Sequence, residues 1–186
     1  MKMKAKWEIL LTLLVFIILL IIAVLISILL DWTLIAVDPT DLSTATFDFW
    51  SLGHFLAGLG MYMFIFILYF IIKNIIDEPG EPPGLETPSP KNIRITWIIT
   101  LIASILWEII ENTLLYAVGV KLVFDSMINI STDIILWSIG GLMAWYLTHL
   151  MFVSKDVVHA YFIFTFINLA AFFVIFIVFG YLTFNI

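Results

Sequence analysis

Long apolar runs separated by short polar breaks dominate the chain. Five of them, at residues 8–30, 50–76, 96–118, 124–151 and 157–182, reach the roughly 20 residues that a helix needs to cross a bilayer core. They predict an all-α, polytopic transmembrane bundle of about five spans, a single domain over residues 1–186. Between the second and third runs lies DEPGEPPGLETPSPKN, whose prolines exclude a helix, so residues 77–93 read as a linker. Residues 31–49 mix acidic and apolar positions. They read as an external loop with a short interfacial helix around Pro39, capped by Asp38 or Thr40, or as a lid over the bundle. The lysines before the first run suggest a secretory signal. That run is longer than a signal core and lacks a small-residue cleavage site, so it reads as a retained helix.

Charge sets the orientation. With five spans, Lys2, Lys4 and Lys6, then Lys73, Lys91 and Arg94, then Lys155 all fall on one side. The other side holds the acidic 31–48 segment and a short turn with Lys121. The N-terminus and the Pro-rich linker are therefore cytoplasmic, in a multi-pass integral protein of the cell membrane. Composition agrees: 63% of residues are hydrophobic and only 12% charged, against about 25% charged in soluble domains, and the mean hydropathy is +1.17. The absence of cysteine excludes disulfides and thiolate metal sites. A net charge of −6 with eight lysines and arginines argues against nucleic acid as a partner and leaves no arginine cluster to clamp phosphate.

The polar residues inside the runs carry the chemistry. Glu108, Glu111 and Asn112 in WEIIEN are spaced i, i+3, i+4 and share one helix face. Asp125, Asn129 and Asp133 are spaced i, i+4, i+8 and form a second stripe, with Asp125 also a candidate N-cap of the fourth span and Ser126 beside it. On the second run Asp48 precedes the helix, and His54 sits among Gly53, Ala57, Gly58 and Gly60, small residues that admit a neighbouring helix. Gly140 and Gly141 would let the fourth span pack tightly in the same way. At roughly 1.5 Å per residue, His54 lies about 6 Å from the external end, Asn129 about 8 Å, Glu111 about 10 Å, Asp133 about 14 Å and Glu108 about 15 Å. Three helices thus place ionisable groups in one half of the bilayer. Each such group facing lipid would cost about 2.5–3.5 kcal/mol, so they face one another, water or a cation. His149 and His159 read as snorkelling at the far interface, Asn168 as a helix-packing contact, and most Phe and Trp as lipid-facing.

GHFLAGLGMY, LWEIIENT, FDSMINISTD and FGYLTFNI occur in that order. They resemble an uncharacterised family of small bacterial inner-membrane proteins with WExxEN and DSxxNxxxD motifs. More distantly, they resemble the VanZ-like proteins linked to teicoplanin resistance. The resemblance covers about residues 51–133 and the C-terminus. The family's second histidine, three residues after the first, is Ala57 here, and the Arg-Asp of its terminal motif is missing. It implies which residues matter and supplies no reaction.

Three functions follow from these residues. The first is a pocket that binds or processes a lipid or amphipathic substrate from the external leaflet. In it Glu108, Glu111, His54 and Asp133 act as catalytic groups, and Asn112, Asn129, Asp125, Asp48 and Ser126 bind substrate. Glu108, Glu111 and Asp133 are its metal-ligand candidates, for an oxygen-preferring Mg²⁺, Mn²⁺ or Ca²⁺. The second is a proton- or cation-coupled transporter, for which a homodimer would supply the missing repeat. The third is an accessory subunit of a larger membrane complex with a purely structural polar core. The first stands ahead, because the cluster opens to one leaflet rather than running through.

Overall fold

The computed structural model describes residues 2–77, 89–154 and 157–185. Five α-helices make the bundle: α1 (Lys2–Leu29), α2 (Trp50–Asp77), α3 (Pro90–Ile110), α4 (Met127–Thr148) and α5 (Val158–Asn185). With the helical turns that continue α3 and α4, they give five stretches long and apolar enough to cross a membrane: Trp7–Leu29, Trp50–Ile72, Lys91–Leu115, Met127–Phe152 and Val158–Val178. The five expected spans are therefore the five helices, and the protein has the build of a multi-pass membrane protein.

Two boundaries differ from the sequence reading. α3 begins at Pro90 rather than Thr96, because Pro90 occupies the first turn and Ser89 caps it, its Oγ accepting from Asn92 N at 3.3 Å. The rest of the expected linker, residues 78–88, lies outside the described residues. The fourth span begins at Met127 rather than Phe124, since Ser126, not Asp125, is its N-cap and accepts from Asn129 N at 3.2 Å. Two π-helical turns prolong helices: Glu111–Leu115 follows α3, and His149–Ser154 follows α4.

The α4 helix is the axis of the bundle. Its span is 56% buried, against 11% for α1. It crosses α2 at backbone contact. A Cβ on Gly58 would stand 1.9 Å from the Trp137 carbonyl oxygen, and one on Gly140 would stand 2.1 Å from that of Phe55. Only glycine fits at such a crossing. Gly53, by contrast, has ordinary space, its nearest neighbour being Trp50 Cε3 at 3.6 Å. Beyond the crossing lies an aromatic core of Tyr62, Phe66, Phe70, Phe152 and Tyr161. Trp137 and Trp145 are also buried, so these aromatics fill the interior, while Trp7, Phe64, Phe166 and Phe173 are among those exposed on the outside of the bundle. His149 is buried as well, at 4% exposure, so it packs inside the bundle rather than snorkelling out of it. Asn168 is the packing contact expected of it, its Nδ2 donating to Leu56 O at 3.4 Å.

The segment between α1 and α2 lies over one end of α4. A short 3-10 turn, Pro39–Asp41, occupies the place of the expected interfacial helix. The chain then folds inward, and Ala45 and Thr46 are fully buried. Ser126 N donates to Ser43 O at 2.7 Å, Ser126 Oγ to Thr44 O at 3.2 Å, Asn129 Nδ2 to Ala45 O at 3.1 Å and Thr132 Oγ1 to Thr46 O at 2.6 Å. Ser27 of α1 shares a hydrogen bond with Thr46 Oγ1 at 2.5 Å. In a low-dielectric interior unpaired backbone groups cost several kcal/mol each, so this ladder is what allows a non-helical strand there.

Candidate functional site

The expected constellation divides into an inner triad and an outer ring. The triad is His54 of α2, Glu108 of α3 and Asp133 of α4, whose side chains are 9%, 4% and 3% exposed. His54 Nδ1 faces Glu108 Oε1 at 3.6 Å, and His54 Nε2 faces Asp133 Oδ2 at 3.5 Å. One ligand atom from each of the three lies within 4.8 Å of the others. Counted from the observed span ends at Trp50, Leu115 and Met127, the three residues sit about 6, 10 and 9 Å in, at roughly 1.5 Å per residue. The later start of α4 and the earlier end of the third span bring their depths together.

Both contacts exceed the 2.7–3.2 Å of a good N–H···O hydrogen bond. His54 Nδ1 and Asp133 Oδ1 are buried with no hydrogen-bond partner. A group that costs energy to bury is here left with unspent capacity. The two contacts use opposite nitrogens of His54, so a cation would take only one of them. With one nitrogen and one oxygen of each carboxylate within 4.8 Å of one another, the three residues could hold a divalent ion.

The outer ring has its partners. Asn112 joins it to the triad: its Nδ2 donates to Glu108 O at 3.1 Å and Glu108 Oε2 at 3.4 Å, and its Oδ1 accepts from Asp125 N at 2.9 Å. The π-turn after Ile110 breaks the expected single face. Glu108 and Asn112 are buried, while Glu111, 22% exposed at its side chain, turns to the rim and accepts from Lys121 Nζ at 2.8 Å. Lys121 also pairs with Asp125. Asp48 caps α2, accepting from Ser51 N at 3.1 Å, while its own N–H donates to Ser51 Oγ at 3.2 Å. Asn129 and Ser126 hold the 43–45 segment, as described above. Of the residues expected to bind substrate, Asn112, Asn129, Asp125, Asp48 and Ser126 thus all have protein partners. Of the expected metal ligands, Glu108 and Asp133 converge, whereas Glu111 does not join them and His54 takes its place.

The residue that sequence reasoning missed is Lys121, counted only as a loop lysine. It is the counter-charge that the carboxylate cluster requires. Its signal was its i, i+4 spacing to Asp125 and its being the only basic residue between the third and fourth runs. Gly119, at φ +76° with nothing within 4 Å of a Cβ, turns the chain back, and Lys121 N donates to Leu115 O at 3.1 Å. Burial works against charge on Lys121, but Glu111 and Asp125 outweigh it and hold the ammonium above its ordinary value. Asp48 is shifted upward, chiefly by burial, which its backbone hydrogen bonds offset only in part.

Comparison with known proteins finds no matching family model, no similar curated protein and no similar solved structure.

Proposed function

We propose that this membrane protein holds a divalent cation between His54, Glu108 and Asp133 and uses it to bind or process a lipid or amphipathic substrate. The observation that carries the reading is the convergence of three buried ligand-type side chains from three helices, two with unpartnered atoms. The donor set shifts the choice of metal. With Glu111 and Asn129 otherwise engaged, one nitrogen and two carboxylates suit Mn²⁺ or Zn²⁺ better than the oxygen-rich shells of Mg²⁺ or Ca²⁺. Such a cation would supply Lewis acidity toward a carbonyl or phosphoryl oxygen. The chain's own part is to fix the three ligands and to exclude water around them.

A one-ended site is favoured over a transport path. Beyond Asp133, the buried polar groups among the described residues are hydroxyls, Asn168 and His149, packed among Phe66, Leu142 and Trp145. The placement of lysine and arginine puts the triad in the external half, so a substrate would enter from the outer leaflet. A second reading has its own observation, because the two carboxylates face opposite nitrogens of His54. That geometry suits a proton held on the imidazole as well as a metal on one nitrogen.

The test is metal analysis of detergent-purified protein dialysed against Mn²⁺ or Zn²⁺. The cation reading expects one equivalent in the wild type and a loss in Glu108→Gln and His54→Gln. Equal, sub-stoichiometric metal in all three proteins leaves the proton reading in its place. Incubation of the loaded protein with phospholipid vesicles, followed by mass spectrometry, then separates hydrolysis from retention of an amphiphile.

A further inference from the structure

One buried donor at the triad is used by none of the residues described. Trp137 stands one helical turn beyond Asp133 on α4 and is 5% exposed. Its ring lies beside His54, centroids 6.2 Å apart and planes inclined at 46°. Its Nε1–H is buried with no hydrogen-bond partner. Buried indoles ordinarily find an acceptor, and Trp97 in the same bundle does so, donating to Ser138 O at 3.4 Å. Trp137 Nε1–H is therefore a desolvated donor of the kind that is costly to leave unsatisfied.

A metal ion alone would not answer it. A cation would take up the spare capacity of Asp133 Oδ1 and of one His54 nitrogen, but an indole N–H is a donor only and coordinates nothing. What it lacks is an acceptor, and that acceptor comes from outside the chain. We infer that Trp137 is a ligand-positioning residue whose indole N–H donates to an oxygen presented to the cation site, from bound water or from the substrate's carbonyl or phosphoryl group. This rests on the cation reading of the His54, Glu108 and Asp133 triad. It adds the polarity of the ligand: an acceptor at the metal's open position, held between a Lewis acid and a hydrogen-bond donor, which is the arrangement that stabilises developing negative charge on oxygen. The tight α2–α4 crossing fixes the wall that bears it, since Gly58 lies against the Trp137 backbone.

Fluoride, a small anionic acceptor that takes the place of a metal-bound oxygen, is the probe. The protein is loaded with Mn²⁺ in detergent, and fluoride binding is read from the ¹⁹F relaxation it causes. Trp137→Phe keeps the aromatic wall and removes the N–H. It is expected to weaken fluoride binding about tenfold, the equivalent of one hydrogen bond, while Mn²⁺ affinity stays within about twofold of wild type. Unchanged fluoride affinity in Trp137→Phe overturns the inference and leaves the cation reading standing. A wild type that takes up no Mn²⁺ overturns both. Should Trp137→Phe fail to fold, ¹⁵N-tryptophan spectra of Zn²⁺-loaded wild type decide. One of the seven indole N–H signals is expected to shift downfield with fluoride, and seven unmoved signals overturn the inference.

Discussion

At Lys121 one ammonium serves two carboxylates, and this explains how so acidic a cluster is tolerated. Removing it strands both Glu111 and Asp125. Lys121→Met should cost about 1–3 kcal/mol, below the full price of a deeply buried pair because the rim is partly wet. Lys121→Met with Asp125→Asn should recover part of that loss, and detergent unfolding of the single and double variants measures it. Because the folded state holds Lys121 above its ordinary value, its stabilisation is full below the unfolded value near pH 10.4 and is lost only at more alkaline pH. Asp48 behaves differently. Its value is also raised, so its contribution is full below the unfolded value of about 3.9 and falls as pH rises through the folded value. Asp48→Asn keeps the cap acceptor without the charge, and its stability relative to wild type should grow with pH across that window and then level off. A constant difference from pH 3 to pH 8 would contradict this. Within the triad, Glu108→Gln should lower Mn²⁺ affinity by more than the roughly 10–100-fold typical of outer-shell partners, whereas Glu111→Gln should lower it less than Glu108→Gln, as read by Mn²⁺ titration. Glu108, His54 and Asp133 were legible as a group, because charged residues in apolar runs have few places to go. That Glu111 belongs to Lys121 was not, because it depends on a π-turn and a loop that returns.

Among the elements, the five helices were legible from hydropathy alone, and the errors fell at their ends. Ser89 and Ser126 decide where α3 and α4 begin, and a cap of one residue is a weak signal beside a run of twenty. The helix crossing was also written in the sequence, through Gly58 and Gly140, though which glycines matter was not. Gly58→Ala and Gly140→Ala should each cost at least about 1–3 kcal/mol as overpacking, since the obstruction is backbone carbonyl rather than a movable side chain. Gly53→Ala, one turn away with room for a methyl, should be neutral or stabilise by about 0.5–1 kcal/mol. Thermal unfolding in one detergent would rank the three, and equal losses would refute the close-contact explanation.

For the molecule as a whole, polarity is concentrated at one end and aromatic packing at the other. The sequence showed the first through the depths of His54, Glu108 and Asp133. It did not show the second, because Phe66, Phe152 and Tyr161 read the same whether they face lipid or one another. The consequence is a protein with a rigid apolar foot and a chemically loaded head, in which variants of the triad should leave the fold largely intact.

The ladder joining residues 43–46 to Ser126, Asn129 and Thr132 has a bearing on biogenesis. The early loop leaves the ribosome long before α4, so its buried carbonyls wait for partners some eighty residues downstream. The head of the bundle therefore closes only once α4 has been made, and until then the cluster stays open to ions and solvent. Protease added to nascent chains stalled before α4 should cut within residues 31–49, and chains released with α4 in place should resist.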